Sequence, residues 1–203
     1  MPAESLARSQ PTFHPLTPDR WQDLETLFGE RGAYGGCWCM WWRVSRSQFE
    51  RQGNAGNKRA LKALVDTGPP PGILAYADDH PIGWCSVGPR ESYPALERSR
   101  VLKRIDDQPV WSIVCFFVAR SFRRQGLLEP LLNAAIAYAR AHGATIVEGY
   151  PVEPHGALSS AAAFTGIAAT FRNVGFVEVA RRSPTRPMMR YFIDPHRDPA
   201  FQP

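Results

Sequence analysis

The stretch from Val110 to Leu132, VWSIVCFFVARSFRRQGLLEPLL, constrains the fold more than any other. It opens with an apolar run of β-branched and aromatic residues ending at Ala119, the composition of a buried strand. Arg120, Arg123 and Arg124 follow. Gly126 then opens a helix whose apolar residues fall at Leu128, Leu131, Leu132, Ala135, Ile136 and Ala139, the spacing of one buried face. A buried strand feeding a basic, glycine-containing turn and then a helix is a device for holding a polyphosphate. Amides at a helix start point outward, and the helix dipole favours an anion there. Arginines add charge-assisted hydrogen bonds, and a residue without Cβ lets the backbone approach closely. Pro130 has no N–H, so it belongs in the first turn of this helix, leaving the donors of Gln125 to Leu128 for a ligand.

The pattern R-x-x-G occurs three times, at Arg123 to Gly126, Arg140 to Gly143 and Arg172 to Gly175. The last two close helices, where carbonyls project; the first opens one. On spacing alone, an arginine-rich surface turn after a core strand fits equally well. Residues 118–128, VARSFRRQGLL, resemble the central motif of the GNAT family, the GCN-related N-acetyltransferases: V-x-P-x-(Y/F)-R-x-x-G-x-(G/A) between a strand and a helix. Val118, Phe122, Arg123 and Gly126 match, Arg120 replaces the proline, and Leu128 replaces the final small residue. Leu128 is compatible with the motif if its side chain faces the sheet, as its helical spacing indicates.

The resemblance covers roughly Pro11 to Asp194 and implies an α+β (α/β) fold. Its sheet is mixed and mostly antiparallel, with splayed middle strands and helices on both faces. It implies a single domain at 13–194 between a flexible tail at 1–12 and a C-terminal tail at 195–203. It also implies acetyl-CoA as co-substrate. The main chain of Phe116, Phe117 and Val118 would bond the pantetheine arm, the backbone of Arg123, Arg124, Gln125, Gly126, Leu127 and Leu128 would hold the pyrophosphate, and an N–H near Phe117 or Val118 would polarise the thioester carbonyl.

Elsewhere the pattern gives helices and strands in an order that suits that fold. Thr17-Pro18 reads as a helix start, with Trp21, Leu24, Leu27 and Phe28 as its stripe. Gly35 to Arg43, GGCWCMWWR, reads as core or as the aromatic wall of an acceptor pocket. The pocket reading assigns Trp38, Trp41, Trp42 and the strand residue Trp84 to it. Residues 45–57 read as a mobile connection, 57–65 as a helix, and 72–77 with 82–87 as a hairpin. Residues 95–104 read as a short helix, 145–150 as a strand and 154–163 as a flexible loop. The remainder is a helix at 164–173 and strands at 175–180 and 188–193.

Net charge is +5, which suits an anionic ligand. No Lys/Arg-rich arm or zinc-finger spacing supports nucleic acid as partner. Cys37, Cys39, Cys85 and Cys115 lack the pairing of a metal site and read as reduced thiols, so no metal and a cytoplasmic location are expected. No apolar run is long enough to span a membrane. The partner is then a small-molecule or peptide amine, with a homodimer possible.

The proton-transfer residues are less plainly written. Many GNAT enzymes carry a tyrosine four residues before the Gly-Phe turn; here that position is Phe171. Tyr150 and Glu148, on one face of a strand beside the implied cleft, are the candidate acid and base, with Glu153 and His155 following in the loop. The replacement also keeps open a CoA-binding regulatory module without turnover, and a basic nucleic-acid binder is the third reading.

Overall fold

A computed structural model describes residues 10–154, 156 and 163–194. Seven strands form one sheet in the order β1-β2-β3-β4-β5-β7-β6. They are β1 Thr12–Pro15, β2 Gly72–Ala77, β3 His80–Pro89, β4 Trp111–Val118, β5 Ile146–Gly149, β6 Val177–Arg181 and β7 Pro187–Phe192. Every pairing is antiparallel except β4 with β5. That parallel pair is joined by helix α3, Leu128–Ala141, as a crossover requires.

The helices cover both faces. Helix α1, Trp21–Phe28, and α2, Arg46–Thr67, pack on one face with Leu74, Trp84, Val114 and Met188. Helix α3 and the short α4, Ala168–Val174, pack on the other with Ile73, Cys85, Ile113 and Val147. The stripe of α1 is buried at all four expected positions. Pro18–Arg20 is a single 3-10 turn ahead of α1, and Thr17 makes no capping bond to it.

Three local readings change. Thr12 belongs to β1 rather than to a tail. Residues 46–57 are helical, not a mobile connection: Ser45 caps α2, its hydroxyl accepting from Gln48 N–H at 3.2 Å, and the helix bends at Gly53, where φ is +58°. Residues 95–104 form turns rather than a helix. The loop at 154–163 lies largely outside the described residues, as do the tails at 1–9 and 195–203.

One irregularity positions the site. Along β3 and β4, Ser86 faces Cys115 and Val87 faces Ile113, so Val114 has no opposite residue and forms a bulge. The β4–β5 ladder runs from Trp111–Val147 to Ile113–Gly149 and stops there. Beyond the bulge, β4 continues to Val118 with β3 on one side only.

Candidate functional site

Past Ile113, strand alternation divides the main chain of β4 between its two sides. Ala119 N–H donates to Ile82 C=O at 2.9 Å on the β3 side, and Phe116 N–H donates to Phe164 C=O at 2.6 Å on the opposite side. Cys115, Phe117 and Ala119 therefore direct their backbone to β3, and Phe116 and Val118 direct theirs into the gap. This corrects the expectation for Phe117, whose amide cannot reach a molecule lying there. It also removes the Phe116 amide, which the chain itself occupies. Val118 C=O accepts Arg123 Nε at 2.9 Å. Among the described residues, that leaves a donor at Val118 N–H and an acceptor at Phe116 C=O, which meets only the weak Cys115 thiol donor at 3.9 Å; together they are the complement of an amide. Among the described residues, the segment carrying Phe164 touches β4 at one backbone bond, not along a ladder.

At the mouth of this gap β4 turns through a 3-10 turn, Arg120–Phe122, into α3. Phe122 N–H donates to Ala119 C=O at 2.9 Å and closes that turn. After it, among the described residues, the amides of Arg124, Gly126, Leu127, Leu128 and Glu129 meet no acceptor in the chain. Pro130 is the third residue of α3, so the first turn loses no internal bond to it. Gly126 sits at φ +80°, and a Cβ built on it would enter open space. Arg124, at φ +61°, holds a left-handed conformation unusual for a residue with a side chain. Leu127 is buried against the sheet and Leu128 packs partly against the same cluster, so both leave the outer side of the turn clear. Arg123 and Arg124 are exposed beside it, and Glu129 is an acid in the same turn. Free amides, a bare glycine and two arginines fit a pyrophosphate.

The other R-x-x-G sites close helices. His142 and Gly143 end α3, and Gly175, left-handed at φ +106°, ends α4.

The sequence profile described as "Acetyltransferase (GNAT) family" matches residues 38–158, more than half of the chain. The chain belongs to the GNAT acetyltransferase family. Solved structures agree on the fold. An agmatine N-acetyltransferase variant in its apo form is 13% identical, with 91% of this chain and 100% of that one covered and a TM-score of 0.57. The mosquito arylalkylamine N-acetyltransferase-like 5b is 11% identical over 91% and 100%, with a TM-score of 0.56. The Drosophila melanogaster polyamine N-acetyltransferase is 12% identical over 91% and 100%, with a TM-score of 0.54. A search of curated protein sequences found no match.

In this GNAT chain the expected acid and base are placed together but are enclosed. Glu148 is 1% exposed and Tyr150 0%. Glu148 Oε1 accepts from Arg90 Nη1 at 2.6 Å and from the Tyr150 hydroxyl at 2.7 Å. Its Oε2 accepts from Arg190 Nε at 2.8 Å. Tyr150 also meets Arg90 Nη1 at 2.6 Å and Ser112 at 2.8 Å. Arg190 reaches on to Asp106 through two bonds, at 2.6 and 2.9 Å. Arg90 reaches Glu97 at 2.7 Å and Leu102 C=O at 2.8 Å. Burial and the adjacent Glu148 push the Tyr150 hydroxyl well above its ordinary pKa. The pair thus pins the segment 90–106 onto β5 and β7, and both members are buried with their polar atoms engaged by arginines, each other and Ser112. Glu153 is bound by Arg172 and Arg181, which hold its carboxyl below the ordinary range. His155 lies outside the described residues.

The four tryptophans do not form one wall. Trp38 stacks on Trp21 at 5.9 Å and bonds Asn54 at 2.5 Å, inside the core. Trp84 is fully buried, its indole N–H donating to Cys39 Sγ at 2.9 Å. Trp41 and Trp42 line a shallow surface cavity of about 180 Å³ with Val44, Arg46, Ala95 and Arg98. No residue of β4 or α3 lines that cavity. The feature that sequence reasoning missed is the segment 163–166, which enters the space β5 leaves. Its signal was Gly166, left-handed at φ +87° and packed on Phe116 and Phe171.

Proposed function

We propose that this chain transfers an acetyl group from acetyl-CoA to a primary amine by direct attack. The observation that carries the reading is the set of unclaimed amides around Gly126 at the mouth of a gap between two diverging strands. Acetyl-CoA supplies the activated acyl carbon: the N–C bond forms, the C–S bond breaks, and the thiol is released. The amides from Gly126 to Glu129 and the guanidinium groups of Arg123 and Arg124 hold the pyrophosphate. Val118 N–H and Phe116 C=O bond the pantetheine arm, and Val118 N–H is the backbone donor nearest the acyl oxygen.

With Glu148, Tyr150 and Glu153 all held by arginines, proton transfer falls to water. A thiolate leaving group, with a pKa of about 8.5, needs little help near neutral pH. The acceptor ammonium must lose its proton before it attacks. The rate should therefore rise with pH toward the acceptor's own pKa, with no limb that follows Glu148 or Tyr150. Thiol release from acetyl-CoA, followed against a panel of amines, tests this. Acceptor-dependent thiol with the matching N-acetyl product supports it. Tight acetyl-CoA binding with no thiol for any amine would leave a regulatory module instead.

A further inference from the structure

Arg186 lies in the turn between β6 and β7, at the carboxyl end of β5. Backbone bonds tie this turn to the gap. Glu153 N–H donates to Thr185 C=O at 2.9 Å, Val152 N–H donates to Gly166 C=O at 2.9 Å, and Phe164 C=O receives the Phe116 amide of β4. Arg186 Nη1 donates to the hydroxyl of Thr165, itself fully buried, at 3.1 Å. Among the described residues, no carboxylate forms an ion pair with Arg186. Burial alone acts on this guanidinium and holds its pKa below the ordinary arginine range. Arg90, Arg181 and Arg190 are shifted the other way by the acids beside them.

The acids near this end of the sheet are committed elsewhere. Glu148 holds Arg90 and Arg190, Asp106 holds Arg190, and Glu153 and Glu178 hold Arg181. Among the described residues, the border of the gap therefore carries an unpaired, half-buried cation and no spare carboxylate. A second positive charge on the acceptor would be desolvated there against a like charge. An acceptor carboxylate would complete the guanidinium fork.

We infer that the acceptor is an amine that also bears a carboxylate, of the amino-acid class, and that Arg186 receives the carboxylate. The inference rests on the acetyltransfer reading. It sets this chain apart from relatives that take agmatine or polyamines.

The test uses acceptor pairs that differ only by the carboxylate: arginine with agmatine, ornithine with putrescine, lysine with cadaverine. The other α-amino acids are run against their decarboxylated amines. For the best acceptor, the carboxylated member should have the higher kcat/KM by roughly 10- to 100-fold, the range of a charge-assisted bond. Arg186→Met should erase that preference mainly through KM, leaving acetyl-CoA affinity by calorimetry unchanged, and Arg186→Lys should restore part of it. Equal or better use of the decarboxylated amines, or a preference that survives Arg186→Met, would overturn the inference and leave the acetyltransfer reading standing. Absence of thiol with every amine would bring down that reading and this inference with it.

Discussion

Phe171 shows how one residue separates the family's pattern from what this chain can do. The ring is fully buried, with Phe176 at 4.8 Å and Phe116 at 6.2 Å, both edge to face. Gly149 and Gly166 flank it so closely that a Cβ at either position would overlap the ring. The tyrosine found here in many relatives would need space for a hydroxyl and a partner for it, and the packing leaves little of either. Phe171→Tyr should therefore cost about 1–3 kcal/mol by overpacking and by burying a polar group. It should not raise the rate of thiol release. Urea denaturation together with the kinetic assay checks both; a faster enzyme of unchanged stability would mean that the hydroxyl reaches the reacting atoms.

At the level of elements, the segment 90–106 has only the 3-10 turn Arg90–Ser92 and no helix or strand beyond it, and the ion pairs Arg90–Glu148 and Arg190–Asp106 hold it to the sheet. Arg190 holds the Asp106 carboxyl below its ordinary range, as Arg172 and Arg181 do for Glu153. A carboxyl with a lowered native pKa contributes stability above its unfolded value of about 4, and that contribution is lost as pH falls through the native value. The melting temperature should stay flat from neutral pH to about 5 and fall below about 4. Asp106→Asn should lower the plateau and flatten the fall, and an unchanged acid limb would show that this pair does not fasten the segment. The same non-local ties explain what the sequence hid. The first half of α2 reads as a polar connection because its support comes from elsewhere: Asn54 and Asn57 donate to the carbonyls of Glu30 and Gly36. The helix expected at 95–104 is lost because Glu97 and Ser99 bond arginines and nearby amides instead. β4, its basic turn and α3 were legible because composition and helical spacing are local.

Across the whole molecule, a bulge at Val114 ends the β4–β5 ladder, and the parting strands open beside the start of α3. The sequence placed that helix start and its glycine. The fold class and the mostly antiparallel character of the sheet followed from the GNAT resemblance. The position of Glu148 and Tyr150 inside an arginine cage was not legible, because its partners lie 42 to 60 residues away in the chain. Nor was the use of the Phe116 amide by Phe164, which depends on where the 163–166 segment returns. The account rests on the bare side of Gly126 as the seat of a phosphate, and calorimetric titration of coenzyme A into the wild type and Gly126→Val tests it most directly. A Cβ at this position meets no protein atom within 4 Å, so the variant should fold with a loss of about 1–2 kcal/mol from its left-handed backbone. Its affinity for coenzyme A should fall by roughly tenfold or more, or about 1.4 kcal/mol. A folded variant that binds coenzyme A as tightly as the wild type would contradict the assignment.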